Sequence, residues 1–211
     1  MVYKDEYLEK LIDSNKYEWN KMMNHKFVKE IGNGKLKKSF FIKYLVIEHT
    51  FVLDAINHLT MAMYLSEKIN SKKILHKIIN GLLNDQNNFF VSAKKNNLKR
   101  NVISKKADIF REHMKSCSQK GYEEIIVSFL AAESIYNNWC FKELSQTKNN
   151  NKTYSEWMGI HTSKSFYNQV KFFSKEAKRI NSNKNASDKQ KNIFRETLKY
   201  ELIFHDSIYT K

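Results

Sequence analysis

Three glutamates lie within apolar helical runs of this sequence. Glu133 lies in residues 128–136 (SFLAAESIY), Glu48 in residues 44–52 (YLVIEHTFV) and Glu201 in residues 200–204 (YELIF). A carboxylate on an apolar face is unfavourable unless it is paired, hydrogen-bonded or protonated, and each of these states shifts its pKa. Because groups with shifted pKa values collect at functional sites, the three glutamates predict a buried polar pocket rather than a solvated surface.

Amphipathic helices must position these acids. The chain has no proline and only five glycines, too few turn residues for a strand-rich fold. The apolar spacing predicts helices over residues 4–31 (with a break near 24), 38–68, 71–95, 105–118, 122–145, 154–160, 163–180 and 189–209. Polar linkers are predicted over residues 95–101, 147–152 and 181–188. At 211 residues, such helices predict an all-α bundle in a single domain.

The basic charge of the chain is spread rather than clustered. The net charge is +15, and 33 lysines stand against only 4 arginines. Lysines fall mostly in loops and on solvent faces, as over residues 35–38 and 184–191. A nucleic-acid surface more typically gathers arginine and exposed aromatics into one patch. The composition therefore favours a solvated basic surface and predicts no nucleic-acid partner.

Cysteine usage and apolar run lengths indicate a soluble intracellular protein. Cys117 and Cys140 have neither CxxC spacing nor the pattern of a disulfide framework. Residues 1–6 contain no apolar signal core, and no run of 18 apolar residues exists to span a membrane. The sequence therefore predicts a cytoplasmic protein with no membrane partner.

Histidines and glutamates in the apolar runs also offer metal-binding atoms. The candidates are Glu48, His49, His58, Glu133, His161, Glu201 and His205. The Glu-x-x-His pairs that hold two irons in some helical bundles are absent around Glu48 and Glu133. Glu201 and His205 are four residues apart and could share one ion, but the prediction is that the protein uses no metal and no cofactor.

Five segments, in order, resemble the motifs of the TenA, or thiaminase II, family. Residues 25–36 resemble its opening HxFVxxIxxGxL, and residues 44–51 (YLVIEHTF) stand where the family has YLxQDYxY or YLxQDYxF. Residues 133–136, 154–157 and 201–204 follow at the places of the later motifs. The resemblance covers essentially the whole chain. It implies one haem-oxygenase-like helical domain over residues 1–211, without haem, and a pocket for a thiamin-derived pyrimidine.

The resemblance also implies which residues line that pocket. Glu48 stands for the family aspartate that hydrogen-bonds the ring nitrogen and amino group of the pyrimidine, and Phe51 replaces a frequent tyrosine. His161 falls where many members have a tyrosine that orients the reacting group. These three residues and Tyr136 are the expected substrate-binding residues, although Tyr136 could equally be a core residue with its hydroxyl satisfied.

The nucleophilic cysteine of the family is missing. It lies four residues before the tyrosine that matches Tyr136, where this chain has Ala132. The sequence therefore resembles the branch that lacks the cysteine and carries a glutamate at Glu133. Glu201 matches the acid/base glutamate near the family's C-terminus, so Glu133 and Glu201 are the expected catalytic pair. Cys140 is about 10 Å from Glu133 along the helix, too far to replace the cysteine.

The expected activity is salvage of degraded thiamin by hydrolysis of amino- or formylamino-pyrimidines. One of the two glutamates would deprotonate water and the other would protonate the leaving amine. Three alternatives stay open: buried glutamates that are only structural, an oxidase of the same fold, and a pyrimidine-binding or regulatory protein without turnover. The family often forms dimers or tetramers, so a homo-oligomer is expected.

Overall fold

All regular structure in the described part of the chain is helical. The computed structural model describes residues 1–86, 105–146, 151–181 and 185–210. The helices are α1 (Glu6–Ser14), α2 (Lys16–Met23), α3 (Lys26–Gly32), α4 (Lys38–Leu65), α5 (Ile69–Gly81), α6 (Lys105–Lys120), α7 (Tyr122–Gln146), α8 (Lys152–Ile160), α9 (Lys164–Asn181) and α10 (Asp188–Asp206). A π-helical turn (Leu82–Gln86) follows α5, and a 3₁₀ turn (Ser207–Tyr209) follows α10. The all-α prediction is confirmed.

The helix predicted over residues 4–31 is three helices. The predicted break near Asn24 is confirmed, and Nδ1 of His25 accepts the backbone N–H of Phe27 at the start of α3 (3.2 Å). A second break at Asn15 was not predicted. Its side-chain amide donates to the carbonyl of Leu11 (2.8 Å), while its oxygen accepts from Arg195 (3.0 Å). Asn15 is thus bonded both to its own helix and to a residue 180 positions later, at the point where α1 ends.

The remaining helix boundaries agree with the predictions to within a few residues, with two exceptions. The α-helix predicted over residues 71–95 changes to the π-helical turn after Gly81. Residues 87–104, which include its predicted end and the first linker, lie outside the described residues, as do 147–150 and 182–184 of the other linkers. The last α-helix ends at Asp206, before the 3₁₀ turn. Gly34 (φ 74°) and Gly121 (φ 138°) adopt the left-handed conformations that suit glycine in the turns after α3 and α6.

The chain divides into two compact units. The first comprises Met1–Leu36 and Ile126–Leu202, and the second comprises Lys37–Ile125 and Ile203–Lys211. Helices α7 and α10 each contribute residues to both units. A single domain over residues 1–211 stays a prediction.

Large aromatic rings form the core of the first unit. Trp139 of α7 stacks on Trp157 of α8 with ring centroids 5.6 Å apart, and Phe27 of α3 meets both edge-on. Rings of this size each bury roughly 150–250 Å². The hydroxyl of Tyr154 donates to the carbonyl of Leu36 (2.8 Å), which fixes α8 against the segment after α3. These contacts pack α8 against α3 and α7.

An ion pair between a partly exposed lysine and a buried glutamate, together with a close approach of the backbone, joins α3 to α7 in the same unit. Lys29 donates to the carboxylate of Glu143 at 2.7 Å, and Glu143 is almost fully buried. A Cβ atom built on Gly32 would lie 2.9 Å from both Cβ and Cδ of Glu143. Glycine at this position therefore lets the two helices come close enough for the ion pair to form.

The long helix α4 organises the second unit. Arg111 of α6 forms an ion pair with Asp54 of α4 (2.5 Å). One turn further along α4, Nδ1 of His58 is 2.6 Å from Oγ of Ser118 of α6. These polar contacts hold α6 along the second half of α4, while the first half of α4 carries Glu48 and Phe51. In the described ranges no helix is both long and apolar enough to cross a membrane.

Candidate functional site

In the second unit, a buried carboxyl is held by a tyrosine on its own helix. Tyr44 and Glu48 are one turn apart on α4, and the Tyr44 hydroxyl donates to Oε2 of Glu48 at 2.7 Å. Only 7% of Glu48 is exposed. Burial raises the pKa of Glu48 to about 7 against the opposing effect of the Tyr44 hydrogen bond. Glu48 is therefore close to half protonated at neutral pH.

Aromatic rings from three helices accompany Glu48 in that unit. Phe51 stacks on Phe110 of α6 with centroids 5.0 Å apart, and Phe204 of α10 lies 6.2 and 5.4 Å from these two rings. The imidazole of His205 is tilted against Tyr44 at 5.8 Å. A carboxyl beside apolar rings suits a flat heteroaromatic ligand that carries a few polar groups. We call these six residues the Glu48 cluster.

In the first unit, Tyr136 and His161 form a second cluster. Their rings are stacked with centroids 5.0 Å apart and planes inclined by 25°. The imidazole of His161 also contacts Trp157 (4.5 Å) and Phe166 (4.9 Å, edge-on). Tyr136 belongs to α7, His161 immediately follows α8, and Phe166 belongs to α9. We call Tyr136, Trp157, His161 and Phe166 the His161 cluster.

His161 is neutral, and a hydrogen bond to α8 determines which of its ring nitrogens carries the proton. Burial lowers its pKa to about 4. Nδ1 is 3.1 Å from the carbonyl oxygen of Trp157, which can only accept, so Nδ1 carries the proton. The other ring nitrogen, Nε2, therefore offers a lone pair. At this position the protein has an acceptor that does not act as a donor above about pH 4.

The two predicted catalytic glutamates differ in exposure. Glu201 on α10 is fully buried, as the sequence indicated. Glu133 lies on α7 one turn before Tyr136 and is partly exposed, so the prediction of burial was wrong for this residue. An accessible carboxylate one turn from the Tyr136–His161 stack can meet water, which a fully enclosed one cannot.

Ala132 occupies the position at which the resemblance expects a cysteine. It is buried on α7 and carries no reactive atom. Cys140, two turns later on α7, is fully buried and Cys117 on α6 nearly so. Within the described ranges, no three His, Cys, Asp or Glu side chains are grouped so that they could hold a metal ion.

Sequence reasoning missed several members of the Glu48 cluster. Tyr44 could have been identified as the partner of Glu48, because residues four apart share a helical face. Phe110 and Phe204 gave no such signal. They are far from Glu48 in the sequence, and only the packing of α6 and α10 brings them to Phe51.

Comparisons with known proteins agree on one family and one fold. The model of the TENA/THI-4/PQQC family matches residues 13–211. No curated protein sequence matches the chain. A TenA homologue from Pyrococcus furiosus has a similar structure, with a TM-score of 0.84, 22% identity, and 95% of this chain and 98% of that chain covered.

Two further solved structures have the same fold. A protein from Sulfolobus solfataricus P2, described as a candidate TenA-like thiaminase, gives a TM-score of 0.82 at 17% identity, covering 98% of this chain and 97% of that one. A protein from Silicibacter sp. TM1040, described as a TenA family transcription regulator, gives 0.83 at 11% identity, covering 95% of each chain. At these identities the likeness is one of fold.

Proposed function

Because the chain belongs to the TENA/THI-4/PQQC family, we propose that it hydrolyses a C–N bond of a thiamin-derived aminopyrimidine or formylaminopyrimidine. The observation that carries this proposal is the buried carboxyl of Glu48, held by Tyr44 in a unit where Phe51 presents a stacked ring. Glu133 and Glu201 are proposed to carry out the chemistry, and Tyr136 and His161 to orient the reacting group.

Recognition of the pyrimidine rests on Glu48. The amino edge of an aminopyrimidine presents one N–H donor beside one ring nitrogen that accepts. A protonated carboxyl group presents the complementary pair, one acceptor and one O–H donor. A carboxylate facing a protonated ring makes the same two hydrogen bonds with added charge. With a pKa of about 7, Glu48 can supply either form near neutral pH.

Hydrolysis in this proposal uses Glu133 and Glu201 as base and acid. One carboxylate takes a proton from water, and the water oxygen forms a bond to the carbon attached to the leaving nitrogen. The C–N bond breaks with its electron pair on nitrogen, and the other glutamic acid supplies the proton that nitrogen needs. The partial exposure of Glu133 supports its role towards water.

His161 and Tyr136 orient the reacting group. The Nε2 lone pair of neutral His161 accepts a hydrogen bond from an N–H of the leaving amine or from the attacking water. The stacked ring of Tyr136 keeps the imidazole plane fixed. A tyrosine hydroxyl can both donate and accept. Nε2 of this imidazole can only accept above about pH 4, so His161 favours a substrate that presents a hydrogen-bond donor.

The absence of a cysteine determines the kind of hydrolysis that we propose. With Ala132 at that position, no thiolate is available to form a covalent intermediate. Direct attack by water suits a carbonyl carbon better than an unactivated methylene carbon. We therefore assign the chain to the branch without the cysteine and favour the formyl derivative over thiamin.

A second candidate function is pyrimidine binding without turnover. Ala132 favours it, because an unreactive residue replaces the nucleophile while the recognition residues of the Glu48 cluster stay in place. The description of the Silicibacter protein as a transcription regulator is compatible with such a role in this fold. Tight binding of a pyrimidine without any product would identify this case.

Product analysis tests the proposal directly. The protein is incubated separately with the aminomethyl pyrimidine, its formyl derivative and thiamin, and products are identified by mass spectrometry. We expect products from the wild type and loss of activity in Glu133→Gln and Glu201→Gln. Glu176→Gln is the matched control, because Glu176 is also a buried glutamate but forms an ion pair with Arg179 (2.8 Å). If the folded wild type forms no product from any of the three substrates, the proposed hydrolase activity is wrong.

We also propose that the protein forms a homo-oligomer. Light scattering on the purified protein measures its mass against the 25.1 kDa of one chain. A mass of two or four chains is expected, and a monomer would remove this part of the proposal.

A further inference from the structure

Asn137 connects three backbone segments of the first unit. It follows Tyr136 on α7 and is fully buried. Its Nδ2 donates to the carbonyl oxygens of His161 (2.8 Å) and Met1 (3.2 Å), and its Oδ1 accepts the backbone N–H of Tyr3 (3.0 Å). Both donor hydrogens and the acceptor oxygen of this amide are therefore used by backbone groups distant in sequence.

The hydrogen bond from Asn137 to His161 lies at the C-terminal end of α8. His161 is the residue at which α8 ends, and the last carbonyls of a helix have no partner within it. Its ring bonds the carbonyl of Trp157 in the same helix, so that bond moves with α8 and cannot place the ring against α7. Asn137 supplies a hydrogen bond from α7, the helix that carries Tyr136.

The N-terminal segment, residues 1–5, is itself held at its far end. Ser174 of α9 donates to both carboxylate oxygens of Asp5 (3.0 and 2.9 Å). Asp5 also accepts the hydroxyl of Tyr3 (2.5 Å) and the N–H of Leu8, which caps α1. The segment is thus held by hydrogen bonds at Asp5 and, through Met1 and Tyr3, at Asn137.

We propose that Asn137, with the N-terminal segment paired to it, is the positioning residue that holds the imidazole of His161 on the ring of Tyr136. The inference rests on the proposed function in one respect, the role of His161 towards substrate. Asn137 itself makes no contact with substrate. It acts through His161, so its loss affects how the acceptor Nε2 is aimed and how well the ring is enclosed.

A purely structural role for Asn137 predicts different results. If the amide only satisfies buried backbone groups, its removal lowers stability but leaves the His161 ring as it was in the folded protein. If it positions His161, its removal lets the end of α8 move and water reach the imidazole. The protonation of His161 therefore distinguishes the two roles without any measurement of activity.

The chain offers a matched control at the next residue. Asn138 is also an asparagine of α7, but its Nδ2 donates to the carbonyl of Ser134 in its own helix (2.9 Å). Asn137→Ala and Asn138→Ala are compared by ¹⁵N NMR titration of the imidazole nitrogens, with the His161 signal assigned from its absence in His161→Phe. We expect the pKa of His161 to move from about 4 towards its ordinary value of 6.5 in Asn137→Ala. In Asn138→Ala it should remain at the wild-type value.

A second variant covers the case in which Asn137→Ala fails to fold. A chain without residues 1–3 keeps Asn137 but removes both of its N-terminal partners, Met1 and Tyr3. It should show the same direction of change in the His161 titration. A pKa of His161 equal to the wild type in the folded Asn137→Ala protein, or in the folded truncated chain if the former does not fold, would overturn the proposal.

Steady-state kinetics add a separate readout. Because His161 is proposed to accept a hydrogen bond from the leaving amine or the attacking water, its misplacement should lower kcat about tenfold, with KM for the pyrimidine within about threefold of the wild type. A rise in KM at constant kcat would contradict a role in positioning the reacting group. If the wild type turns over none of the pyrimidines, the proposed function fails, while the titration of His161 still decides the role of Asn137.

Discussion

The ring of His161 lies on the ring of Tyr136, with centroids 5.0 Å apart and planes inclined by 25°. The same imidazole donates from Nδ1 to the carbonyl of Trp157 (3.1 Å), so that its free lone pair is on Nε2. A stack and one hydrogen bond thus fix both the plane and the tautomer of the ring. At this position the ring therefore offers one hydrogen-bond acceptor, Nε2, in a fixed direction.

Replacing His161 by phenylalanine should keep the stack and remove the acceptor. We expect kcat/KM for the pyrimidine substrate to fall about tenfold or more, because a substrate donor then faces an apolar ring. The same change at exposed His76 is the control and should leave kcat/KM unchanged. Equal activity of His161→Phe and the wild type would show that Nε2 does not contact the substrate.

The raised pKa of Glu48 makes stability depend on pH. Because the folded protein favours protonated Glu48, the stabilisation is complete below pH 4.5 and is lost as the pH rises to about 7. Relative to Glu48→Gln, which does not titrate, the wild type should lose about 3 kcal/mol of unfolding free energy across this interval. Urea unfolding of both proteins at pH 4.5 and pH 8 measures it. A difference between the two proteins that is independent of pH would disprove the shift.

Two helical glycines should respond to alanine in opposite directions. Gly32→Ala places a Cβ 2.9 Å from Cβ of Glu143, so α3 and α7 must separate, and we expect a loss of about 1–3 kcal/mol. Gly159 in α8 has open space where its Cβ would be. Gly159→Ala should therefore be neutral or stabilise by up to about 1 kcal/mol through helix propensity. Thermal or urea unfolding compares them, and equal effects would contradict the close approach at Gly32.

Ser118 should stabilise the contact between α4 and α6. Its Oγ is 2.6 Å from Nδ1 of His58, and the opposite ring nitrogen of His58 is buried without a hydrogen-bond partner in the described residues. Ser118→Ala leaves Nδ1 unpaired as well, and we expect a loss of about 1–3 kcal/mol in urea unfolding. The control is Ser145→Ala, because Ser145 is exposed and bonds only its own helix. The prediction fails if both variants are equally stable.

The helical framework was predictable because helix periodicity is a local property. The apolar spacing around Glu48 and the turn glycine Gly34 gave α4 and the end of α3 directly. The break at Asn15 was not predictable, because it depends on Arg195, which lies 180 residues later in the chain. Asparagine occurs within many helices: Asn138 makes the same bond to its own helix inside the unbroken α7, and what differs at Asn15 is the contact with Arg195.

Some properties of the functional residues were likewise predictable from local sequence, and others were not. The burial of Glu48 and Glu201 followed from their apolar neighbours in sequence, whereas the partial exposure of Glu133 did not. The neutral state of His161 results from burial among the rings of Tyr136, Trp157 and Phe166, which come from three helices, so no local pattern could have indicated it. Periodicity reports which face of a helix is apolar, but not which groups a second helix brings to that face.

The buried carboxyl of Glu48 also has a consequence for proton exchange on binding. Below pH 7 it is mostly protonated in the free protein, so a ring nitrogen that receives a proton on binding can take it from Glu48. Binding would then exchange no proton with the solvent, and below pH 7 the calorimetric enthalpy would be the same in phosphate and in imidazole buffer. At pH 8 the free protein carries a carboxylate at Glu48 instead, so the same complex must draw its proton from the buffer, and the enthalpies in phosphate and in Tris would separate.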